Sequence, residues 1–294
     1  MERAKGILYA ALSSSTFGLA PLFTLLLLGL GYSSFEVLSY RWGVASVFLC
    51  ALALLAGRSF RLSWPELRTV FFLSLFRAAT SLSLVIAYQH IASGVASTIH
   101  FMYPLAVALA MMCFFREKGS VWVFAAIGMS IVGAVLLSLG NVDFTRGNTT
   151  LGMVSAAVSV VSYGGYIVGV RKSRAVGIGS TVLTCYVMGL GALYFIAGGL
   201  VTGGIRIETD GTAWLCILGV ALPATAVSNM TLVQAIKRIG PTLTSVFGAL
   251  EPLTAVVIGV AVFGEPFTVQ GAAGILLIVA AVTIVILHSG SRKA

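Results

Sequence analysis

Few side chains in this sequence are equipped for chemistry, and those that are lie inside long apolar stretches. Glu251 falls about ten residues into one of them, and at about 1.5 Å per helical residue that is about 15 Å deep, near the middle of a bilayer. A carboxylate there must face protein or a water-filled cavity, where it binds an ammonium group, takes up a proton, or bonds backbone groups freed by the adjoining Pro252. His100 and Tyr103 are three apart and share a helix face with Ala96 and Val107, while Thr244, Gly248 and Glu251 form the equivalent face of another helix. If both faces line one cavity, it holds an imidazole, a phenol and a carboxylate, a set that suits an amphipathic zwitterion. The alternative for His100 is a core histidine satisfied by its neighbours.

Arg77, about nine residues into its own stretch, is expected to snorkel to the near interface, the alternative being contact with a substrate carboxylate. Ser81 and Tyr88 continue its face; Ser155, Ser159, Ser162, Tyr163 and Tyr166 make a second polar stripe, and Thr225 with Asn229 a third. Hydroxylic stripes join membrane helices as readily as they bind ligands, whereas the aromatic members are suited to stack on a ring. Pro104 and Pro252 each remove a helix hydrogen bond and are the hinge candidates; Pro21 and Pro223 lack such a matched position and carry less weight.

The elements that must position these groups follow from composition. Hydrophobic residues make up 59% and charged residues 9% of the chain, against about a quarter charged in soluble domains. Mean hydropathy is +1.04. The chain reads as an all-α integral membrane protein with the bilayer as solvent. Its spans fall at roughly 6–30, 35–56, 68–91, 94–115, 120–140, 150–170, 180–202, 212–236, 241–263 and 267–288. Only the tight turn in QHIASG separates the third from the fourth. The start resembles a signal peptide, but its apolar run continues to about Leu30 and reads as a retained helix. Gly165 and Gly169 form a small-residue helix-packing pair.

The formal charge of +9 does not imply nucleic acid, because the basic residues sit in small groups between spans. With the N-terminus inside, Arg3, Lys5, Arg58, Arg61, Arg68, Arg116, Lys118, Arg171, Lys172, Arg174, Lys237, Arg238, Arg292 and Lys293 all face the cytoplasm. Only Arg146 and Arg206 lie outside, and Arg41 and Arg77 fall within spans. Cys50, Cys113, Cys185 and Cys216 have no metal-ligand spacing and read as small core residues. No metal or cofactor is expected, and no G-x-x-x-x-G-K-[ST] is present to hydrolyse ATP.

The chain also repeats itself. An offset of 148 carries Ser97, Pro104, Leu105, Phe115 and Glu117 onto Ser245, Pro252, Leu253, Phe263 and Glu265, and an offset of 146 carries Gly6, Ala10, Ala11, Ser13 and Gly18 onto Gly152, Ala156, Ala157, Ser159 and Gly164. Copies of five spans must enter the membrane in opposite directions. The loops agree: Arg116-Glu117-Lys118 carries two cations and its equivalent Gly264-Glu265-Pro266 none. The expected architecture is two inverted five-helix halves, 1–142 and 143–294, around a central cavity, as in many secondary transporters.

The stretch from Ala235 through Lys237, Arg238, Gly240 and Pro241 to Thr242, then Glu251-Pro252-Leu253, Gly264-Glu265-Pro266 and Gly274, resembles the EamA-like family of the drug/metabolite transporter superfamily. Ala87-Tyr88, Tyr103-Pro104-Leu105, Glu117-Lys118 and Gly133 repeat the pattern more loosely, and Arg41-Trp42 with Ala45 resembles the start of the family's second helix. The resemblance covers roughly 6 to 288 and is similar in kind to the YddG-type exporters of aromatic amino acids. It implies a ten-helix exporter of small metabolites in the inner membrane, with both termini cytoplasmic. Two departures, Phe17 and Tyr163 where the family carries tryptophan, and Tyr103 where the second half has Glu251, put aromatic and polar groups at the family's central cavity.

The expected binding set is Phe17, Arg77, Ser81, Tyr88, His100, Tyr103, Tyr163, Tyr166, Asn229 and Glu251, with a small-molecule substrate and the bilayer as partners, and a monomer or homodimer left open. Competing readings are an exporter of drugs or amphipathic cations, and a membrane enzyme acting on lipid. The latter needs clustered acids at one interface, and Glu36, Asp143, Glu208 and Asp210 are scattered over three loops.

Overall fold

A backbone that must be hydrogen-bonded without water has two solutions, the helix and the closed barrel, and this chain takes the first. The computed structural model describes residues 2–138, 147–263 and 268–288. Every regular element among them is helical. The first helix, α1, runs Glu2–Phe17 and Ala20–Gly29; α2 is Ser34–Leu55 and α3 is Trp64–His90. Next come α4 (Ser93–His100 and Tyr103–Phe115), α5 (Val121–Ser138), α6 (Thr149–Lys172) and α7 (Ser180–Thr202). The chain continues as α8 (Gly211–Ile239), α9 (Pro241–Val246, Phe247–Ala249 and Leu250–Phe263) and α10 (Val269–His288).

All of these but α5 and α9 are long and apolar enough to cross a bilayer. The exceptions are instructive: α5 holds a shorter apolar stretch, Val121–Leu136, and α9 is assembled from three pieces. The ten segments match the ten sequence-predicted spans to within a few residues, and α3 does part from α4 at Ile91 and Ala92. Large apolar side chains such as Val47, Phe114, Val161, Leu193 and Leu276 are exposed on the rim, while Arg41 and Arg77 are 4% and 1% exposed in the interior. That is the inverse of a water-soluble surface and suits a lipid solvent.

Helix starts are set by local chemistry. Ser33 accepts from the Glu36 amide and Glu36 accepts from the Ser33 amide, a reciprocal cap on α2. Asn148 and Asp210 cap α6 and α8 by accepting from the Leu151 and Ala213 amides.

Four helices are interrupted, and a proline stands at each break. Pro21 follows the gap between Phe17 and Ala20; Pro104 follows the gap at Phe101 and Met102; Pro223 opens a π-helical turn, Leu222–Val227; Pro252 follows the 3-10 turn Phe247–Ala249. The ring removes an N–H and collides with the carbonyl four residues earlier, here on Phe17, His100, Gly219 and Gly248. Pro21 and Pro223, given little weight on sequence, therefore mark breaks as firmly as the matched pair.

The most extensive helix pairs are α2 with α7, α5 with α10, α3 with α6, and α1 with α8. Exchanging the first five helices for the last five maps the first two pairs onto themselves and the last two onto each other. The α2–α7 pair is held at both ends by equivalent bonds. The Tyr40 hydroxyl donates to the Arg206 carbonyl at 2.5 Å, and the Tyr186 hydroxyl donates to the Phe60 carbonyl at 2.8 Å. Tyr40 and Tyr186, like Phe60 and Arg206, are related by the offset of 146. Each tyrosine stands near the start of its helix and bonds the loop beyond the end of the other, so α2 and α7 run antiparallel.

Of the four cysteines only Cys185 is buried, and Cys113 is exposed, which corrects their reading as core residues. Gly165 and Gly169 face Phe76 and Leu73 of α3, as expected of a packing pair. Asp143, Arg146, Gly264, Glu265, Pro266, Arg292, Lys293 and the boundary at 142/143 lie outside the described residues.

The α2–α7 contact depends on close approach: a Cβ on Gly191 would lie 2.1 Å from the Trp42 ring, whereas one on Gly43 would meet nothing. Gly191→Ala is expected to cost about 1–3 kcal/mol through overpacking, read as a lowered unfolding midpoint in detergent. Gly43→Ala should leave that midpoint unchanged or slightly raised.

Candidate functional site

The π turn of α8 positions two acceptors that a regular helix would not. Within it the Thr225 hydroxyl donates to the Val220 carbonyl, five residues back, at 2.7 Å, and one turn on, the Asn229 amide donates to the Thr225 carbonyl at 2.7 Å. Both side-chain oxygens are thereby aimed at arginines of the first half. Arg41 Nε donates to Thr225 Oγ1 at 2.6 Å, and Arg77 Nε donates to Asn229 Oδ1 at 2.8 Å. Arg77 Nη1 donates further to Ser81 Oγ at 3.3 Å. The offset of 148 that places Ala87 on Ala235 also places Arg77 on Thr225 and Ser81 on Asn229. The cluster thus joins matching positions of α3 and α8.

Arg77 does not snorkel. It is buried because Asn229, 152 residues away in sequence, supplies an acceptor and three rings supply faces: its guanidinium carbon lies 5.1, 5.4 and 5.9 Å from the ring centres of Tyr163, Phe17 and Trp42. Arg41 lies 5.7 Å from the Phe17 ring. Phe17 occupies this place because α1 ends there, before Pro21, and it stacks on Tyr163 with ring centres 6.3 Å apart and planes 15° apart. Gly18 lets α1 approach α9 closely, since a Cβ there would lie 2.6 Å from the Glu251 carbonyl.

On the other side of Phe17 the broken ends of α4 and α9 meet. The Tyr103 hydroxyl donates to Glu251 Oε1 at 3.2 Å, and it fits only because residue 248 is glycine: a Cβ there would fall 1.6 Å from that hydroxyl. Ring centres of His100, Tyr103 and Tyr163 lie 4.6–5.3 Å apart. Ser159 donates to the Ala156 carbonyl at 2.6 Å, so the 2.8 Å bond between Ser159 and His100 Nδ1 has the imidazole as donor. In the neutral ring that leaves Nε2 as an acceptor, which has no partner among the described residues. Tyr88 contacts Ser97 at 3.4 Å. A cavity of about 40 Å³ remains, lined in part by Phe17, Tyr88, His100 and Glu251. That holds a water or two and no metabolite, so the central space is closed in this conformation.

The residues named from sequence are therefore distributed as follows. Phe17, Arg77, Ser81, His100, Tyr103, Tyr163, Asn229 and Glu251 form one connected group, with Tyr88 on its cavity wall. Tyr166 is buried one turn from Tyr163, with its hydroxyl unpartnered among the described residues. Pro104 and Pro252 stand at breaks. Arg41, Trp42 and Thr225 were not in the expected set; the signal available was that Arg41 is the other arginine inside a span. Of the acids read as scattered, Asp210 caps α8, whereas Glu36 and Glu208 are brought together around the Arg206 loop: Arg206 pairs with Glu36 at 3.0 Å, Tyr32 bonds Glu208, and the Glu208 amide donates to Tyr40.

A buried guanidinium that loses its acceptor is costly. Asn229→Leu should lower stability by about 2–3 kcal/mol, but by under about 1 kcal/mol in an Arg77→Met background. Unfolding midpoints of the four proteins of this cycle, in detergent, measure the coupling; equal losses in both backgrounds would show that the bond carries no stability.

Comparison with known proteins agrees with this architecture. Over 276 residues the chain is 28% identical to "Uncharacterized transporter YojE" of Bacillus subtilis (strain 168), covering 91% of this chain and 88% of that protein. It is 24% identical over 217 residues to an "Uncharacterized transporter" of Archaeoglobus fulgidus, covering 74% and 76%. A crystal structure of a protein 20% identical superposes with a TM-score of 0.79 over 100% of this chain and 99% of that one, a likeness of fold. The profile of the EamA-like transporter family matches twice, over residues 4–139 and 150–287, and the chain belongs to that family.

Proposed function

We propose that this transporter exports small metabolites, amino acids foremost and aromatic or other amphipathic ones among them, by alternating access without ATP hydrolysis. The observation that carries the reading is the buried group at the junction of the halves, where guanidinium, carboxylate, imidazole and aromatic rings sit together, brought there by the four interrupted helices and by α2, α3 and α6. An α-amino acid presents matching features: an anion, a cation and a side chain. Glu251 and the free Nε2 of His100 are acceptors for an ammonium group, and Phe17, Tyr163 and Tyr103 are faces for a ring. Interrupted helices near the midplane are the usual place for such a site.

On this reading the halves, 1–142 and 143–294, are inverted repeats. The fourteen-to-two distribution of Lys and Arg supports an orientation with both termini on the cytoplasmic side of the inner membrane. The Tyr40–Arg206 bond is then an outer latch and Tyr186–Phe60 an inner one, to be broken alternately. A substrate that is purely an amphipathic cation is disfavoured by the two buried arginines.

Two outcomes are expected. Proteoliposomes holding the full chain and loaded with unlabelled phenylalanine should accumulate labelled phenylalanine by saturable counterflow without ATP; absence of flux across all twenty amino acids would sink the proposal. Losing the latch, about 1 kcal/mol for the single Tyr186 bond and up to about twice that for Tyr40, whose hydroxyl also accepts from the Glu208 amide, should shift the open populations by about fivefold or more. With native cysteines replaced and Ser97→Cys as reporter, Tyr40→Phe should raise labelling by an impermeant maleimide from outside and Tyr186→Phe from inside. Identical labelling in both variants would remove the latches from the mechanism.

A further inference from the structure

We infer that Arg41 supplies the carboxylate-binding group of the transport site, with Arg77 as a second positive charge beside it and Phe17 as the ring that covers both in the closed conformation. This rests on the reading of the chain as a transporter of small metabolites, and narrows it to substrates that carry a single carboxylate.

Arg41 is 4% exposed and its Nε is satisfied by Thr225, yet its Nη2 is buried without a hydrogen-bond partner among the described residues. Arg77 is differently placed, since Asn229 and Ser81 both accept from it. Neither arginine has a counter-ion: the ion pairs among the described residues are Lys5–Glu2, Arg206–Glu36 and Arg238–Glu2. The one acid in the cluster, Glu251, is bonded by Tyr103 instead. Two guanidiniums against one carboxylate leave the interior of an apolar bundle with an excess of positive charge. A guanidinium in such a place is ordinarily matched by an anion, and its planar fork fits a carboxylate.

Geometry selects the class further. Both guanidinium carbons lie within 6 Å of the Phe17 ring centre, and Phe17 also borders the small cavity that Glu251 and His100 line. Phe17 is thus the side chain common to the arginines and that cavity. Glu251 opposes a dianion there, which weighs against phosphate, and the surrounding rings favour an organic acid with an apolar body. Thr225 is then a positioning residue: it orients Arg41 through Nε and leaves the other edge of the fork open.

The test uses the full chain in detergent and isothermal titration with three probes: 3-phenylpropionate, 2-phenylethylamine and inorganic phosphate. The wild type should bind 3-phenylpropionate at least about tenfold tighter than 2-phenylethylamine, and phosphate weakest of the three; Arg41→Gln should weaken 3-phenylpropionate about tenfold or more and leave 2-phenylethylamine within about twofold. Wild-type preference for the amine, tighter binding of phosphate, no binding of 3-phenylpropionate, or an unchanged Arg41→Gln would overturn the inference. The wild-type comparison needs no variant, so it decides the matter even if Arg41→Gln fails to fold. Carboxylate binding without any flux in proteoliposomes would refute the transport reading alone. Amino-acid flux with equal affinity for acid and amine would refute this inference alone.

Discussion

A guanidinium placed between apolar helices must have its N–H groups met by protein, because lipid offers no acceptor and water is excluded. Much of this bundle follows from meeting that demand for Arg77. The acceptor is Asn229; Asn229 is held by the Thr225 carbonyl; and Thr225 is turned toward the centre by the π segment Leu222–Val227. The same segment serves Arg41 through the Thr225 hydroxyl. Hydrogen bonds thus fix α8 against α2 and α3, and the rings of Phe17, Trp42 and Tyr163 fill the faces that hydrogen bonds leave. A Leu in place of Asn229 would occupy similar space but strand the charge, so shape and charge cannot be traded separately here.

Proline is what makes room for this arrangement. An unbroken α1 would carry its backbone past Phe17 without a turn, and unbroken α4 and α9 would keep Tyr103 and Glu251 on the straight faces that an ideal helix dictates. The breaks instead fall within four residues before Pro21, Pro104 and Pro252, and each puts a site residue or its glycine neighbour at a bend: Phe17, His100 and Gly248. Backbone irregularity at membrane depth survives where it is enclosed by protein. These bends are enclosed, and they border the group of charged side chains found at depth among the described residues.

The ten spans were legible because hydropathy integrates over about 20 residues and is insensitive to single breaks. That same insensitivity hid the interruption at Gly18 and the π turn at Leu222–Val227. The meeting of Tyr103 with Glu251 could be anticipated from matched positions in the repeat. The partner of Arg77 could not, since a snorkelling argument considers only distance to the interface along one helix, whereas the decisive acceptor lies on another. Arg41 was missed for a related reason: seven residues from the start of α2 it looks close to the interface, yet α7, Thr225 and Phe17 bury it. Similarly, Glu36 and Glu208 are far apart in sequence and are assembled by Arg206 and two tyrosines.

Duplication and side-chain divergence do different work in this chain. The equivalent bonds of Tyr40 with Arg206 and of Tyr186 with Phe60 show that the backbone keeps matching closures at opposite ends of the α2–α7 pair. Matching closures at the two ends are what the proposed alternating access calls for, because a ligand shifts an equilibrium only by its differential affinity for the two arrangements. The interior is not symmetric in the same way: at the offset of 148, Arg77 corresponds to Thr225, Ser81 to Asn229 and Tyr103 to Glu251. Positive charge therefore comes from the first half and the carboxylate from the second. The asymmetry gives the group a fixed polarity across the junction of the halves. The departures from the repeat thus set the chemistry of the interior, while the repeated closures hold the two ends of the α2–α7 pair.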